Sequence, residues 1–424
     1  MRAATFLRPL LCSLMVCALI CGCAHHQRCC VPKPLLAPQA TIDLNSTSDR
    51  ELNSERDALT ASLANIKGAD ADPVEGARKY NVLALSGGGS YGAFSAGVIN
   101  GWTASGQRPP LDIVSGVSTG ALIATYAFLG PEHDRSLREF YTTTTQADIY
   151  RKKSKPAVLW SDSAASSEPL RQLIQQKITP QLLCAVAQAH AQGRRLYVGT
   201  TNLDTGRLVI WDMGAVASGS QGDALGLYRK IILASASVPG FFPPVSIDVT
   251  VNGRKYTELH ADGGTTAQVF FRASMLDIDP SQFAGGRRPL AGSRVYVIVA
   301  GKAFPDPKCV EQRALKIAAS ALGALTYAQT RNDLVRIYTL TMLTGMDFRL
   351  ATIPQNLPLN PDSLAFDPAE MQRLYQCGFQ MASTSQAWAD APPVLDASQQ
   401  SIPRAGTNFL VPIEAAMGAG SAMP

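Results

Sequence analysis

Short apolar runs alternate with longer segments of helical periodicity through the middle of the chain. Residues 81–85 form an apolar run, three glycines follow, and a helical pattern extends from residue 91 to about residue 102. A second apolar run at 112–114 leads through a tight turn into a helical pattern at 119–129. Because buried strands alternating with helices form parallel sheets covered on both faces, this order predicts an α/β fold with a mainly parallel central sheet. Later strands are predicted at 194–200, 207–211 and 294–299, and a long helix at 315–340.

The start of the chain has the pattern of a secretory signal. Arg2 and Arg8 precede an apolar run at 10–21, and Gly22 and Cys23 stand before a polar stretch. A run of about 12 residues is shorter than the roughly 20 that a membrane-spanning helix needs, which favours a signal over the alternative of an anchor helix. The junction resembles a bacterial lipobox, which implies that Cys23 is lipidated. We therefore expect a membrane-anchored lipoprotein of the bacterial cell envelope, on the outer membrane or the periplasmic face.

Composition suggests where the folded part begins and ends. Residues 1–22 are the predicted signal peptide, and residues 23–79 are polar and interrupted by prolines, which predicts a tether containing a short helix at 48–63. Residues 391–424 are rich in Pro, Gly, Ala and Ser and are predicted to be disordered.

Charge and cysteine usage exclude two classes of function. The formal net charge is +5, and the basic residues are interspersed with acidic ones, so nothing indicates a nucleic-acid partner. Beyond the first thirty residues the only cysteines are Cys184, Cys309 and Cys377, and no CxxC pair among them suggests a metal site. We expect buried thiols, although Cys309 and Cys377 can pair in an oxidising compartment.

Gly116-Val117-Ser118-Thr119-Gly120 matches the G-x-S-x-G pattern of a serine nucleophile. By itself the pentapeptide occurs by chance in many proteins, but here it lies between a predicted strand and a predicted helix, which is the context that a nucleophile turn requires. The glycines permit a tight backbone, and the dipole of the helix that begins at Thr119 favours developing negative charge. Ser118 is therefore a candidate nucleophile of a hydrolase.

The glycine-rich segment after the first strand has two interpretations. Gly87, Gly89 and Gly92 match G-x-G-x-x-G, and Asp112 follows about 20 residues on, as in a dinucleotide-binding module. That fold places the acid at the end of the second strand, whereas Asp112 begins it. In the other interpretation, the N–H groups of Gly88 and Gly89 form an oxyanion hole. Close helix packing explains Gly92 but not three successive glycines.

Two residues are candidates for the base that activates Ser118. A Ser-Asp-His order needs a histidine after the acid, and no histidine follows His260. A triad esterase would therefore combine His260 with one of four aspartates: Asp204, Asp212, Asp223 or Asp248. The alternative is Asp262 in Asp262-Gly263-Gly264, where glycines let the backbone bend so that the carboxylate reaches the hydroxyl, although this tripeptide is also a common turn.

The glycine loop, the Ser118 turn and Asp262-Gly263-Gly264, taken together and in this order, resemble the patatin-like phospholipases. The stretches 201–206 and 234–244 also resemble segments of that family. The resemblance extends over residues 80–300 and implies a three-layer α/β/α catalytic domain, with residues 301–390 as a helical extension of the same domain.

The resemblance also implies a mechanism. Ser118 attacks an ester carbonyl, Asp262 accepts the proton without a histidine, and the oxyanion lies against Gly87, Gly88 and Gly89. No metal or cofactor takes part, and the substrate is a lipid or another fatty-acyl ester. The remaining motif glycines are Gly92, Gly116, Gly120, Gly263 and Gly264.

At one position the chain departs from the family pattern. Tyr91 stands where the family commonly has Arg or Lys, a cation suited to an anionic lipid, so phosphate-bearing head groups are less firmly implied. Phe94, Phe241 and Phe242 are candidates for an acyl pocket, and ordinary core packing is the alternative for Phe241 and Phe242.

Overall fold

The computed structural model describes residues 28–32, 35, 78–154, 161–219, 222–276 and 290–395. The predicted signal peptide, Cys23, the predicted helix at 48–63 and the tail beyond residue 395 lie outside the described residues. Within the described part, no helix is both long and apolar enough to span a bilayer.

Ten strands account for the sheets of the described chain. They are β1 (Asn81–Leu85), β2 (Ile113–Val117), β3 (Arg151–Lys152), β4 (Ala165–Ser166), β5 (Arg195–Asn202), β6 (Arg207–Asp212), β7 (Val245–Val251), β8 (Arg254–Asp262), β9 (Arg294–Val299) and β10 (Asp347–Thr352). Eight of them form the central sheet in the order β10-β9-β1-β2-β5-β8-β7, with β6 paired to β5, while β3 and β4 form a separate ladder. The five strands from β10 to β5 are parallel, and β6, β7 and β8 make an antiparallel edge.

The helices cover both faces of this sheet. They are α1 (Gly92–Ala104), α2 (Thr119–Leu129), α3 (Asp134–Thr143), α4 (Gln146–Ile149), α5 (Glu168–Lys177), α6 (Pro180–Ala191), α7 (Met213–Ser218), α8 (Ala224–Ser235), α9 (Ala314–Thr344) and α10 (Pro368–Ser383). Alternate residues of β1 point to opposite faces: Leu83 belongs to a core shared with α1, α2 and α10, and Val82 to a core shared with α9. The predicted three-layer α/β/α architecture with a mostly parallel sheet is confirmed.

The apolar pattern located the central elements well and the sheet edge poorly. β1, α2 and β9 have the predicted bounds, because strands buried on both faces give continuous apolar runs. The β7–β8 hairpin was not predicted, although β7 alternates exposed and buried residues as a one-sided strand does. β10 and α10 were also missed.

Strand β5 brings the ends of β2 and β8 together. β6 pairs with one edge of β5, so β2 and β8 share its other edge, one after the other. β2 runs parallel to β5 and ends with Val117 beside Gly199, while β8 runs antiparallel and ends with Asp262 beside Thr200. The two carboxyl ends therefore meet head to head, which places residue 118 next to Asp262.

The beginning of the predicted tether packs onto the domain. The Thr257 N–H of β8 donates to the Cys29 carbonyl (2.9 Å), and the Arg28 guanidinium pairs with Asp204. Val31 is buried against apolar side chains of β7 and β8. At these residues the chain is not a free tether, and most of the remaining predicted tether lies outside the described residues.

The three later cysteines are free thiols. Cys184 and Cys309 are exposed and Cys377 is half-buried, so the expectation of buried thiols was wrong. Cys309 and Cys377 are not paired with each other.

Candidate active site

Ser118 occupies the sharp turn between β2 and α2. Its backbone angles, φ 56° and ψ −122°, are unusual for a residue with a side chain. The flanking glycines are needed because the chain passes close to itself: a Cβ on Gly116 would lie 2.3 Å from the Gly120 carbonyl oxygen, and one on Gly120 would lie 2.5 Å from the Leu85 carbonyl oxygen. The strand–turn–helix context inferred from the sequence is present.

A buried serine holds the backbone of Ser118. The Ser118 N–H donates to Oγ of Ser235 (2.9 Å), and the Ser235 hydroxyl donates to the Gly199 carbonyl (2.7 Å). The N–H of Ser118 is therefore already hydrogen-bonded. Ser235 was not singled out as a site residue from the sequence, although it lies in the stretch 234–244 that resembles the family.

Asp262 ends β8 and meets the Ser118 hydroxyl. The Ser118 side chain lies close enough to the Asp262 carboxyl to lower its pKa, and Oδ1 of Asp262 accepts the Gly264 N–H (2.7 Å). Burial raises the pKa of Asp262 to about 6, against the opposing effect of the Ser118 side chain and the Gly264 N–H. At neutral pH the carboxyl is mostly ionised, yet it binds a proton far more readily than an exposed aspartate does.

The two glycines after Asp262 allow this turn to pack closely. A Cβ on Gly263 would lie 2.5 Å from the Gly199 carbonyl oxygen, and one on Gly264 would lie 2.9 Å from Nε2 of Gln268. Larger residues would push the turn away from β5 and carry Asp262 with it.

The glycine loop lies directly against the serine. A Cβ on Gly87 would be 3.2 Å from the Cβ of Ser118. Gly88 (φ 155°) and Gly89 (φ 57°) have backbone conformations that residues with side chains avoid, and a Cβ on either would clash with a carbonyl oxygen, of Ala300 at 2.1 Å and of Ser363 at 2.3 Å.

The N–H groups of this loop are not equivalent. The Gly87 N–H donates to the Gln268 carbonyl (3.0 Å), so the expectation that Gly87 takes part in an oxyanion hole needs correction. The N–H groups of Gly88 and Gly89 have no hydrogen-bond partner within the described ranges. They are the two loop donors that remain for a substrate oxygen.

Gly92 and Tyr91 serve packing next to the site. A Cβ on Gly92 would lie 2.3 Å from Oγ1 of Thr119, so this glycine lets α1 approach α2. Tyr91 is buried and its hydroxyl donates to the Asn360 carbonyl. Burial also raises the pKa of the phenol, which stays neutral and does not replace the cation that the family commonly has.

His260 lies in the core and does not contact Ser118. Its side chain is fully buried, with Nδ1 bonded to Oγ1 of Thr200 (2.9 Å) and Nε2 to Oε2 of Glu258 (3.1 Å). Neither ring nitrogen is left to accept a proton from Ser118. The four candidate aspartates are also engaged elsewhere: Asp204 with Arg28, Asp212 and Asp223 with the first turns of α7 and α8, and Asp248 with Thr257. His260 and these aspartates therefore do not form a catalytic triad with Ser118.

The distance between Asp112 and the glycine loop excludes the dinucleotide-binding interpretation. Oδ2 of Asp112 accepts the Asn81 N–H (2.8 Å), which places this carboxylate at the amino end of β1. The glycine loop follows the carboxyl end of the same strand, roughly 16 Å away for five residues. A cofactor phosphate at the loop could not present its ribose to Asp112. Within the described ranges, no group of three or more His, Cys, Asp or Glu side chains could hold a metal ion.

The predicted acyl-pocket aromatics belong to the core. Phe94 is fully buried, and Phe242 is buried against Phe241, with ring centroids 4.9 Å apart. Phe241 also contacts Tyr150 edge-on at 4.8 Å. These contacts favour ordinary packing for all three phenylalanines.

A comparison with known proteins finds a family whose model matches part of this chain. Residues 83–274 match the family model described as patatin-like phospholipase. Among solved structures, the chain is similar to the crystal structure of VipD from Legionella pneumophila, with 15% sequence identity, a TM-score of 0.37, and coverage of 74% of this chain and 69% of that one. No curated protein matches the chain. The family match spans the glycine loop, Ser118 and Asp262.

Proposed function

Residues 83–274 form a patatin-like phospholipase domain, and from this premise we propose that the protein is a lipid acyl hydrolase that cleaves carboxylic esters through an acyl-enzyme on Ser118. The family supports a lipid ester as the substrate. The observation that carries the finer proposal is the position of the Ser118 side chain beside the buried Asp262 carboxyl, whose pKa it lowers. It places a strained serine turn beside a carboxyl that binds protons near neutral pH.

In the first half of the reaction, Asp262 takes the proton of Ser118 as Oγ attacks the ester carbonyl. The carbonyl oxygen becomes an oxyanion, for which the N–H groups of Gly88 and Gly89 are the proposed donors. The dipole of α2, which begins at Thr119, favours the same negative charge. As the tetrahedral intermediate collapses, the leaving alcohol takes the proton from Asp262 and the acyl group stays on Ser118.

In the second half, water attacks the acyl-enzyme and Asp262 accepts its proton. Collapse returns that proton to Oγ of Ser118 and releases the fatty acid. A carboxyl with a pKa of about 6 suits both halves, because it is ionised at pH 7 to 8 and still basic enough to accept a proton in the transition state.

The position of Tyr91 bears on the head group. Its buried phenol is directed at Asn360, so no cation stands at this position to hold a phosphate. We propose that acyl-chain and ester contacts dominate substrate binding, and that neutral acyl esters are cleaved as well as phospholipids.

We also propose that Cys23 carries a lipid anchor in a bacterial envelope. The apolar run and the lipobox-like junction support it. Since Arg28 is bound to Asp204 only five residues later, the anchor would hold the domain within about 18 Å of the bilayer rather than on a long tether. Metabolic labelling with an alkyne-tagged fatty acid tests this, since Cys23→Ala should remove the label.

Labelling by a fluorophosphonate, combined with fatty-acid release from a mixture of phospholipids and neutral glycerides, tests the proposed function. Wild-type protein should be labelled and should release fatty acids, and Ser118→Ala should abolish both. Ser115→Ala is the matched control: this buried serine of β2 donates to the Phe270 carbonyl (2.7 Å), and its variant should keep both activities. Release or labelling that persists in Ser118→Ala would refute the acyl-enzyme.

A further inference from the structure

Gln268 lies between the two loops that border Ser118. Its backbone carbonyl accepts the Gly87 N–H (3.0 Å), and its side-chain Nε2 donates to the Gly264 carbonyl (2.6 Å). Gly264 in turn donates its N–H to the Asp262 carboxyl. One residue therefore joins the glycine loop to the turn that carries the proposed base.

The side-chain oxygen of Gln268 also approaches the serine. A Cβ added to Gly87 would lie 3.4 Å from Oε1 of Gln268 and 3.2 Å from the Cβ of Ser118. Gln268 and Ser118 thus border the same small volume, so a movement of Gln268 changes the space beside the nucleophile.

Asp333 of α9 fixes Gln268 from the other side. Its Oδ2 accepts the N–H groups of Gln268 (2.8 Å) and Val269 (3.4 Å). Burial raises the pKa of this carboxyl to about 6, and the two N–H groups oppose that effect. Asp333 lies outside residues 83–274, so a group beyond the family match takes part in building the site.

We propose that Gln268 and Asp333 are positioning residues that set the separation of the glycine loop and the Asp262 turn across Ser118. The proposal rests on the proposed function. Reacting groups must be held within a fraction of an ångström, and a displacement of about 1 Å can cost a hundredfold in rate. Neither residue needs to exchange a proton with the substrate for this effect.

The chain beyond residue 290 supports the glycine loop in other ways that agree with this role. The Ser90 N–H donates to the Ser363 carbonyl (2.8 Å), and the Ala300 N–H donates to Oγ of Ser86 (2.9 Å). Residues beyond 290 therefore contact the glycine loop directly and form part of the boundary of the proposed active site.

The test measures kcat, KM and the rate of fluorophosphonate labelling for full-length variants, with thermal unfolding to verify folding. Gln268→Ala should lower kcat and the labelling rate together, by about tenfold to a hundredfold, with little change in KM. Asp333→Ala should show the same pattern. Asp333→Asn keeps an oxygen acceptor for the two N–H groups and should recover most of the rate. Asn332→Ala, on the exposed side of α9, is the control and should match wild type.

Three results would overturn the proposal: unchanged kcat in Gln268→Ala, a rise in KM alone, or an Asp333→Asn variant as slow as Asp333→Ala. The Ser118→Ala protein separates this failure from a failure of the proposed function. If Ser118→Ala is inactive while Gln268→Ala has full activity, only the positioning role is refuted. If Ser118→Ala retains activity, the acyl-enzyme itself is refuted.

Discussion

Asp262, which is buried, and Asp333, which is half-buried, are two carboxyls that respond alike to burial and differ in what they contact. Burial raises the pKa of each to about 6, and the shift is partly opposed by one backbone N–H bonded to Asp262 and by two bonded to Asp333. Asp262 also lies beside the Ser118 side chain, which lowers its pKa, whereas the hydrogen-bond donors to Asp333 are the N–H groups of Gln268 and Val269.

The difference shows that a raised pKa does not identify a catalytic base. Groups with shifted pKa values are common at functional sites, but burial of a carboxyl in a structural role shifts its pKa in the same way. Contact with Ser118, the proposed nucleophile in a strained turn, is the feature that separates Asp262 from Asp333. The strongest tests of this comparison alter one carboxyl and use the other as the control.

The largest expected effect comes from replacing each carboxyl by its amide. Asp262→Asn removes the proposed proton acceptor of Ser118, and we expect kcat to fall about a thousandfold or more. Asp333→Asn retains an acceptor for the two N–H groups, so we expect a loss of no more than about threefold. Steady-state hydrolysis of a fluorogenic ester measures both. Equal losses in the two variants would mean that Asp262 is not the base.

A smaller effect is expected in the dependence of the rate on pH. Below the pKa of about 6, Asp262 is protonated and cannot accept the proton of Ser118, so activity should fall about tenfold per pH unit as the pH drops below 6. Above that pH the carboxylate is ionised and the rate should level off. The profile of kcat/KM reports this group in the free enzyme.

The same profile in Asp333→Asn decides which carboxyl is responsible. Since the proposed base is Asp262, the acid limb should keep its midpoint near pH 6 in the variant. A limb that disappears in Asp333→Asn would assign the titration to Asp333 and remove the support that the pKa of Asp262 gives to its proposed role.

The parts of the site that the sequence predicted are those whose demands are local. The tight turn at Ser118 requires glycines at 116 and 120 because the backbone there passes within 2.3 to 2.5 Å of where a side chain would begin. The apolar runs of β1 and β2 reflect burial on both faces, so their place before the glycine loop and the serine was also visible.

The parts that the sequence could not predict depend on distant segments meeting. His260 and Asp262 stand two residues apart, and only the burial of His260 between Thr200 and Glu258 separates their roles. Asp333 reaches Gln268 across 65 residues of chain. No spacing rule connects such a pair, because the contact follows from how α9 packs against one face of the sheet.

The smallest expected effect tests the backbone supports of the two carboxyls. Oγ1 of Thr201 donates to the Asp262 carbonyl (2.9 Å), and Oγ1 of Thr330 donates to the Thr326 carbonyl (2.9 Å) one turn before Asp333. Thr330→Val removes one hydrogen bond and should cost about 1 kcal/mol in the free energy of unfolding. Thr201→Val removes two, because Oγ1 of Thr201 also bonds Oγ1 of Thr266 (2.9 Å), and should cost about 2 kcal/mol. Thr201→Val should also lower kcat a few-fold by loosening the Asp262 turn, whereas Thr330→Val should leave kcat unchanged, because the helix already fixes Asp333. Chemical denaturation measures the free energy of unfolding, and steady-state kinetics measures kcat. A loss of kcat in Thr330→Val as large as that in Thr201→Val would show that the site tolerates movement of Asp333 no better than movement of Asp262.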